Sequence, residues 1–191
     1  MAKPGKGQTS RLRIIGGQWR GRKLEFEPAP GLRPTTDRIR ETLFNWLTPH
    51  IHGARCVDLF AGSGALGLEA LSRGAQHCDF VDTSERATGQ IRRQLEVLDA
   101  VARAHCYCAD ALTFLEQARE SFDLVFVDPP FDSALAATAC QALARGAILR
   151  PGALVYVETA ATEPAPGVPA SWSEHRSKAA GGVNYRLYRA P

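Results

Sequence analysis

Only five of the 191 residues are cysteine, an odd number, and no two are spaced C-x-x-C. That absence excludes the common zinc ribbons and thioredoxin-like redox motifs. Cys106 and Cys108 would share one face of a strand, but no histidine–cysteine set follows at zinc spacing, so no metal is expected. Cys56, Cys78, Cys106 and Cys108 lie in or beside strand-like runs and Cys140 in an apolar helical pattern. All five are expected as buried free thiols in a reducing cytoplasm. Long apolar runs are missing as well. Nothing approaches the ~20 apolar residues of a membrane span, and no apolar stretch follows the basic start MAKPGKGQTSRLR, as a secretory leader would require. A cytoplasmic protein, monomeric and without a membrane, is expected.

What is present is a chain with 45% hydrophobic residues, enough for one domain with a small appendage. The net charge of +3 is unevenly spread. Residues 1–50 hold ten Lys and Arg against four Asp and Glu, residues 51–170 hold nine against fifteen, and residues 171–191 hold four against one. Basic ends around an acidic middle suit a polyanionic partner, because phosphate contacts dominate nucleic-acid affinity.

Residues 1–10 are expected to be disordered. RLRIIGGQWRGRKLEF predicts a hairpin about Gly16 and Gly17, and Thr36 or Asp37 caps a helix to about Leu47 with Ile39, Leu43, Trp46 and Leu47 on one face. From Arg55 strands and helices alternate: RCVDLF, HCDFVD, AHCYCAD, FDLVFVD and GALVYVET are five strands with helices between them. That rhythm means a parallel sheet covered on both faces. WSEHRSKAA and NYRLYR, about Gly181 and Gly182, close it as an antiparallel hairpin.

Gly62-Ser63-Gly64-Ala65-Leu66-Gly67 is a G-x-G-x-x-G turn after a strand and before a helix. A dehydrogenase and a methyltransferase would both show it. Asp58, just before the turn, favours a cationic ligand: a carboxylate repels a pyrophosphate and attracts the ammonium and sulfonium of S-adenosylmethionine. Asp82 ends the second strand of the series, where an acid accepts ribose hydroxyls. Asp110 ends the third, within reach of an adenine amino group, and is equally a good helix cap. Asp128-Pro129-Pro130-Phe131 ends the fourth. Proline has no N–H, so this turn offers acceptors without competing donors. The Asp128 carboxylate and Pro129 carbonyl suit the two hydrogens of a base amine, and Phe131 suits a stacked, flipped base.

With these residues assembled, the chain closely resembles the RsmD family of bacterial small-subunit ribosomal RNA methyltransferases. The blocks RIIGGQWRGRKL, GLRPTTDRIRETLFNWL, FAGSGALGLEALSRG, VFVDPPF and YRLYR carry the resemblance from about Arg13 to Arg189. It implies S-adenosylmethionine-dependent methylation of the N2 amine of guanine 966 in 16S rRNA, within a 30S subunit or an assembly intermediate. It also implies a Rossmann-like class I methyltransferase fold with a mostly parallel seven-stranded sheet. A basic RNA-binding extension would span 1–53 and the methyltransferase domain 54–191. The cofactor roles fall on Asp58, Phe60, Ala61, Gly62, Gly64, Asp82, Thr83, Asp110 and Ala111. The catalytic turn falls on Asp128, Pro129, Pro130 and Phe131. Asp82 stands where the family often has Glu. RNA contacts are expected from Arg11, Arg13, Trp19, Arg20, Arg22, Lys23, Arg33, Thr35, Thr36 and Arg38, with Asp37 and Arg40 near the target base. Trp19 reads equally well as a core side chain. Deleting residues 1–23 is expected to weaken RNA binding and to spare the cofactor. An adenine-N6 methyltransferase, a dehydrogenase and a non-catalytic assembly factor are the alternatives.

Overall fold

In the computed structural model, residues 10–26, 36–131 and 133–191 are described. Two short strands, β1 (Ser10–Arg13) and β2 (Lys23–Phe26), pair antiparallel with Arg11 opposite Glu25. Between the two strands the hairpin is closed by main-chain bonds from the Ile14 N–H to Arg22 and from the Gly21 N–H to Ile14, both 2.9 Å. Alternation buries Leu12, Leu24 and Phe26 and turns Arg11, Arg13 and Lys23 outward. Helix α1 (Asp37–Leu47) starts at Thr36, whose side chain accepts the Ile39 N–H at 3.3 Å. Its buried stripe is Ile39, Arg40, Leu43, Phe44 and Leu47, while Trp46 is half-buried and stacks on Tyr185 with ring centres 5.4 Å apart.

The alternating region folds as the sequence predicts. In chain order it comprises β3 (Arg55–Asp58), α2 (Ala65–Ser72), β4 (His77–Asp82), α3 (Glu85–Val97), β5 (Ala104–Cys108), α4 (Ala111–Gln117), β6 (Phe122–Val127), α5 (Leu135–Arg145) and β7 (Leu149–Ala160). The closing hairpin is β8 (Ser173–Ala180) and β9 (Val183–Arg189). The seven-stranded sheet runs β5-β4-β3-β6-β7-β9-β8. Its first five strands are parallel, and β9 pairs antiparallel with both β7 and β8. Strands β3, β4 and β6 are buried almost throughout, as parallel strands covered on both faces must be.

The chain steps from β3 to β4 on one side and later returns to place β6 on the other. Such a switch point opens a crevice at the carboxyl ends of the strands, and ligands of α/β sheets bind there. The N-terminal elements share the core of this sheet: Leu12, Ile14, Trp19, Phe44 and Leu47 belong to one buried cluster with Leu68, Phe80 and Tyr156. Among the described residues no helix is long and apolar enough to cross a membrane.

The cysteines follow expectation at Cys56, Cys78 and Cys140, which are buried, and all five are free thiols. Cys106 is half-buried and Cys108 is exposed, which corrects the expectation for these two. Both sit on β5, the edge strand of the sheet, where among the described residues no further strand pairs beside them.

Candidate active site

A cleft of about 480 Å³ opens at the switch point. Every residue expected at the cofactor site lines it except Gly64, which holds the turn from behind: Asp58, Phe60, Ala61, Gly62, Asp82, Thr83, Asp110 and Ala111. Asp128, Pro129, Pro130 and Phe131 line the same cleft. The two sets, 17 residues apart at their nearest and 70 from Asp58 to Asp128, meet because β3 and β6 are neighbours in the sheet, with Asp58 opposite Phe126.

The glycine turn is built for close approach. Gly62 and Gly64 have φ of 53° and 77°, left-handed conformations that disfavour a Cβ. Gly67 serves packing instead: a Cβ there would stand 2.2 Å from the Phe80 ring. The turn is fastened by main-chain bonds from Ala61 to Val81 at 2.9 Å and from Gly64 to Ala61 at 2.7 Å. Asp82 supports it from β4, its carboxylate accepting the Gly62 N–H and the Ser84 N–H, both at 2.8 Å.

Asp58 is buried and accepts the Gly67 N–H at 3.1 Å. Burial, then the charges of Asp128 and Asp82, push its carboxyl up to about 7, against the Gly67 hydrogen bond. A cationic ligand beside it would reverse that penalty. This acid-lined cleft therefore fits S-adenosylmethionine, which brings an ammonium and a sulfonium, and fits a pyrophosphate poorly. Asp110 is the N-cap of α4, accepting the N–H groups of Leu112 at 2.9 Å and Thr113 at 3.2 Å. It is exposed and still lines the cleft, so the two readings of this residue are compatible.

Asp128 and Phe131 are half-buried, Pro129 is buried and Pro130 is exposed. Phe131 packs against the main core, and the Ser133 hydroxyl donates to the Pro130 carbonyl, closing the turn before α5. Leu59, Ser63, Ala65, Leu66, Ala109, Leu135 and Glu158 complete the lining, and none of them carries a site role in the sequence reading. Glu158 matters most. It is 4% exposed, ends an otherwise apolar run of β7, and accepts the Tyr156 hydroxyl at 2.7 Å. Burial, then the Asp128 charge, push its carboxyl up to about 8. The rule that found Asp58 and Asp82, an acid at the carboxyl end of a strand, would have found it too.

Among the expected RNA contacts, Arg11, Arg13, Arg20, Arg22, Lys23 and Arg38 are exposed. Arg11 pairs with Glu25 at 3.6 Å and Arg13 with Asp37 at 3.4 Å, exposed pairs worth little. Arg33 and Thr35 lie outside the described residues. Thr36 caps α1, so its hydroxyl has a structural task. Of the two readings of Trp19 the structure takes the core one and not the RNA contact: the side chain is 3% exposed, and Arg103 lies over its ring at 5.2 Å. Arg40 is likewise buried, 3.7 Å from Glu69.

Two further features lie at the opposite, amino-end edge of the sheet. One is a cavity of about 230 Å³ lined by residues that include His50, Asp123 and Arg150. The other is the one group of three metal-type ligands among the described residues, His77, Asp79 and His105. Neither reaches the cleft.

Comparison with known proteins agrees with the site. The family model "Conserved hypothetical protein 95" matches residues 12–189. Ribosomal RNA small subunit methyltransferase D of Escherichia coli (strain K12) is 49% identical over 189 residues, covering 99% of this chain and 95% of that protein. A solved Escherichia coli structure described as a methyltransferase, yhhF, superposes with a TM-score of 0.87 at 48% identity, covering 95% of this chain and 98% of that one. The fold alone is shared with a Streptococcus mutans structure described as an S-adenosylmethionine-dependent methyltransferase. There the TM-score is 0.76 at 14% identity, covering all of this chain and 57% of that one. On the match to residues 12–189 and the identity along nearly its whole length, the chain belongs to the Conserved hypothetical protein 95 family, that of ribosomal RNA small subunit methyltransferase D.

Proposed function

We propose that this protein methylates the exocyclic N2 amine of one guanine, guanine 966, in the 16S rRNA of the small ribosomal subunit. The observation that carries the reading is the opening of the Asp128-Pro129-Pro130-Phe131 turn into the same cleft as the acids of β3 and β4. The names of the relatives support the rRNA substrate.

S-adenosylmethionine, when bound, supplies a methyl group on a cationic sulfur. Asp58 offsets positive charge at that end of the cleft, Asp82 accepts from ribose hydroxyls and Asp110 from an adenine amino group. The left-handed backbone at Gly62 keeps the cleft clear of side chain there, and Phe60, Ala61, Thr83 and Ala111 wall it. Asp128 and the Pro129 carbonyl accept the two hydrogens of the target amine. Holding them there draws the nitrogen lone pair out of conjugation with the ring. Asp128 then takes the proton that methylation releases. Phe131 stacks on the flipped base, worth ~1–3 kcal/mol. The exposed arginines of the N-terminal hairpin supply phosphate contacts that position the RNA without choosing the base.

The test is transfer of labelled methyl groups from S-adenosylmethionine to small subunits, or to their assembly intermediates, prepared from cells lacking this protein. Nucleoside digestion and mass mapping of the 16S rRNA should find N2-methylguanosine at one position. N6-methyladenosine, or no rRNA product, would refute the reading.

A further inference from the structure

We infer that Glu158 is the residue that selects guanine, by accepting the N1–H of the target base beside Asp128 on its N2 amine. The inference rests on the proposed methylation of a guanine amine and adds what chooses the base.

Strands β6 and β7 pair with Val127 opposite Val157, so Asp128, the first residue past β6, and Glu158 of β7 are the next residues along at the carboxyl edge. Both carboxylates line the cleft that holds Phe131. The Tyr156 hydroxyl donates to Glu158 Oε2 at 2.7 Å and fixes the carboxyl on its strand. A carboxylate buried this deeply is costly unless donors meet it. A neighbouring acid raises the cost, and the elevated carboxyl of Glu158, with Asp128 among its causes, is that cost expressed in the free protein.

Two adjacent acceptors call for an edge with two adjacent donors. Guanine presents N1–H beside N2–H₂. Adenine presents an acceptor at N1 beside its amine, cytosine an acceptor at N3 beside its amine, and uracil a single donor between two carbonyls. A flipped base is read on this edge. With Glu158 ionised, the form that a donor beside it favours, guanine alone satisfies both carboxylates, and adenine would set its N1 lone pair against Glu158. A site built around such a donor discriminates strongly against a base that lacks it, because the buried acceptor is left unpaired.

The test uses the full-length protein and small-subunit particles reconstituted with 16S rRNA that carries either guanosine or 2-aminopurine riboside at the target position. Both bases keep the N2 amine, and 2-aminopurine lacks the N1–H. Competition for methylation measures the preference as a ratio of kcat/KM. The wild type should favour guanosine about 10- to 150-fold, the worth of one hydrogen bond to a charged group. Glu158→Gln, whose amide both accepts and donates, should collapse that ratio toward one, and Tyr156→Phe should lower it less. If Glu158→Gln transfers too slowly to score, the ratio of the two particle dissociation constants reports the same preference. An unchanged ratio in Glu158→Gln would overturn the inference and leave Glu158 as a packing partner of Tyr156. A wild type that makes no N2-methylguanosine would instead overturn the proposed function, and this inference with it.

Discussion

Arg40 and Glu69 face each other 3.7 Å apart, 1% and 0% exposed, beneath the N-terminal hairpin. The Glu69 carboxylate also accepts the N–H groups of Ile15 and Gly16, both at 2.8 Å, and the Arg73 guanidinium at 2.7 Å. Ser72 adds its share, its hydroxyl accepting from Trp19 N–H at 3.0 Å and donating to the Gly16 carbonyl at 2.6 Å. The hairpin is therefore part of the domain it rests on. Glu69→Ala should cost ~3–5 kcal/mol, because it strands the Ile15 and Gly16 N–H groups and the Arg73 guanidinium and leaves Arg40 with Asp37, at 2.6 Å, as its remaining carboxylate. Urea unfolding measures it, and a loss below ~1 kcal/mol would show that the network is ornamental. Deleting residues 1–23 should now unfold the protein rather than spare the cofactor.

The frame of the site was legible because strand-end acids, a glycine turn and a double proline are local patterns. Each of Asp58, Asp82 and Asp128 stands at a boundary that the change from strand to turn marks. Glu158 was passed over because its strand leads into a Pro- and Ala-rich segment, where no helix marks the boundary. Trp19 stays open between core and RNA in the sequence, and Arg40 reads as a residue near the target base, for a different reason. Both lie in basic stretches, and the partners that bury them, Ser72, Arg103 and Glu69, are supplied from far along the chain. A charge run shows net sign, and only the docked hairpin shows which arginine faces inward.

The RNA grip should reside in side chains that leave the fold intact. Reversing Arg20, Arg22 and Lys23 to glutamate should weaken binding to the ribosomal substrate and flatten the slope of log affinity against log salt by up to about three. S-adenosylmethionine affinity and melting temperature should stay as in the wild type. Unchanged RNA affinity would make this surface a bystander.

Asp82 has two duties, and its variants should separate them. Asp82→Ala should weaken S-adenosylmethionine by roughly 1.5–3 kcal/mol through a lost charged acceptor. Some stability should go as well, because the Gly62 and Ser84 N–H groups lose their partner. Asp82→Asn keeps one acceptor and should lose less of both. Calorimetry showing full affinity in the alanine variant would remove Asp82 from the site.

The two raised carboxyls set a pH signature. Asp58 moves from 3.8 to about 7 and Glu158 from 4.5 to about 8, so each ionises more readily in the unfolded chain than in the fold. Their penalty is absent below about pH 4, where both states are protonated, and grows until about pH 8. Asp58→Asn should therefore raise the melting temperature of the ligand-free protein more at pH 8 than at pH 5. S-adenosylmethionine, bringing positive charge to Asp58, should stabilise the wild type more at pH 8 than at pH 6, and should lose that pH dependence in Asp58→Asn. Melting curves across this range with equal shifts at every pH would contradict the assignment.

The central claim is that the Asp128 carboxylate serves the methyl-transfer step at a guanine amine. Asp128→Asn keeps the shape and one acceptor and removes the charge and basicity, so it tests that claim most directly. The measurement is single-turnover transfer to the ribosomal substrate, scored as N2-methylguanosine, with cofactor binding followed alongside. The variant should retain S-adenosylmethionine and transfer ~10²–10⁴-fold more slowly, the typical worth of a positioned proton acceptor. Transfer to guanine N2 at near the wild-type rate would contradict the account and leave the turn to position the amine through its backbone carbonyls alone.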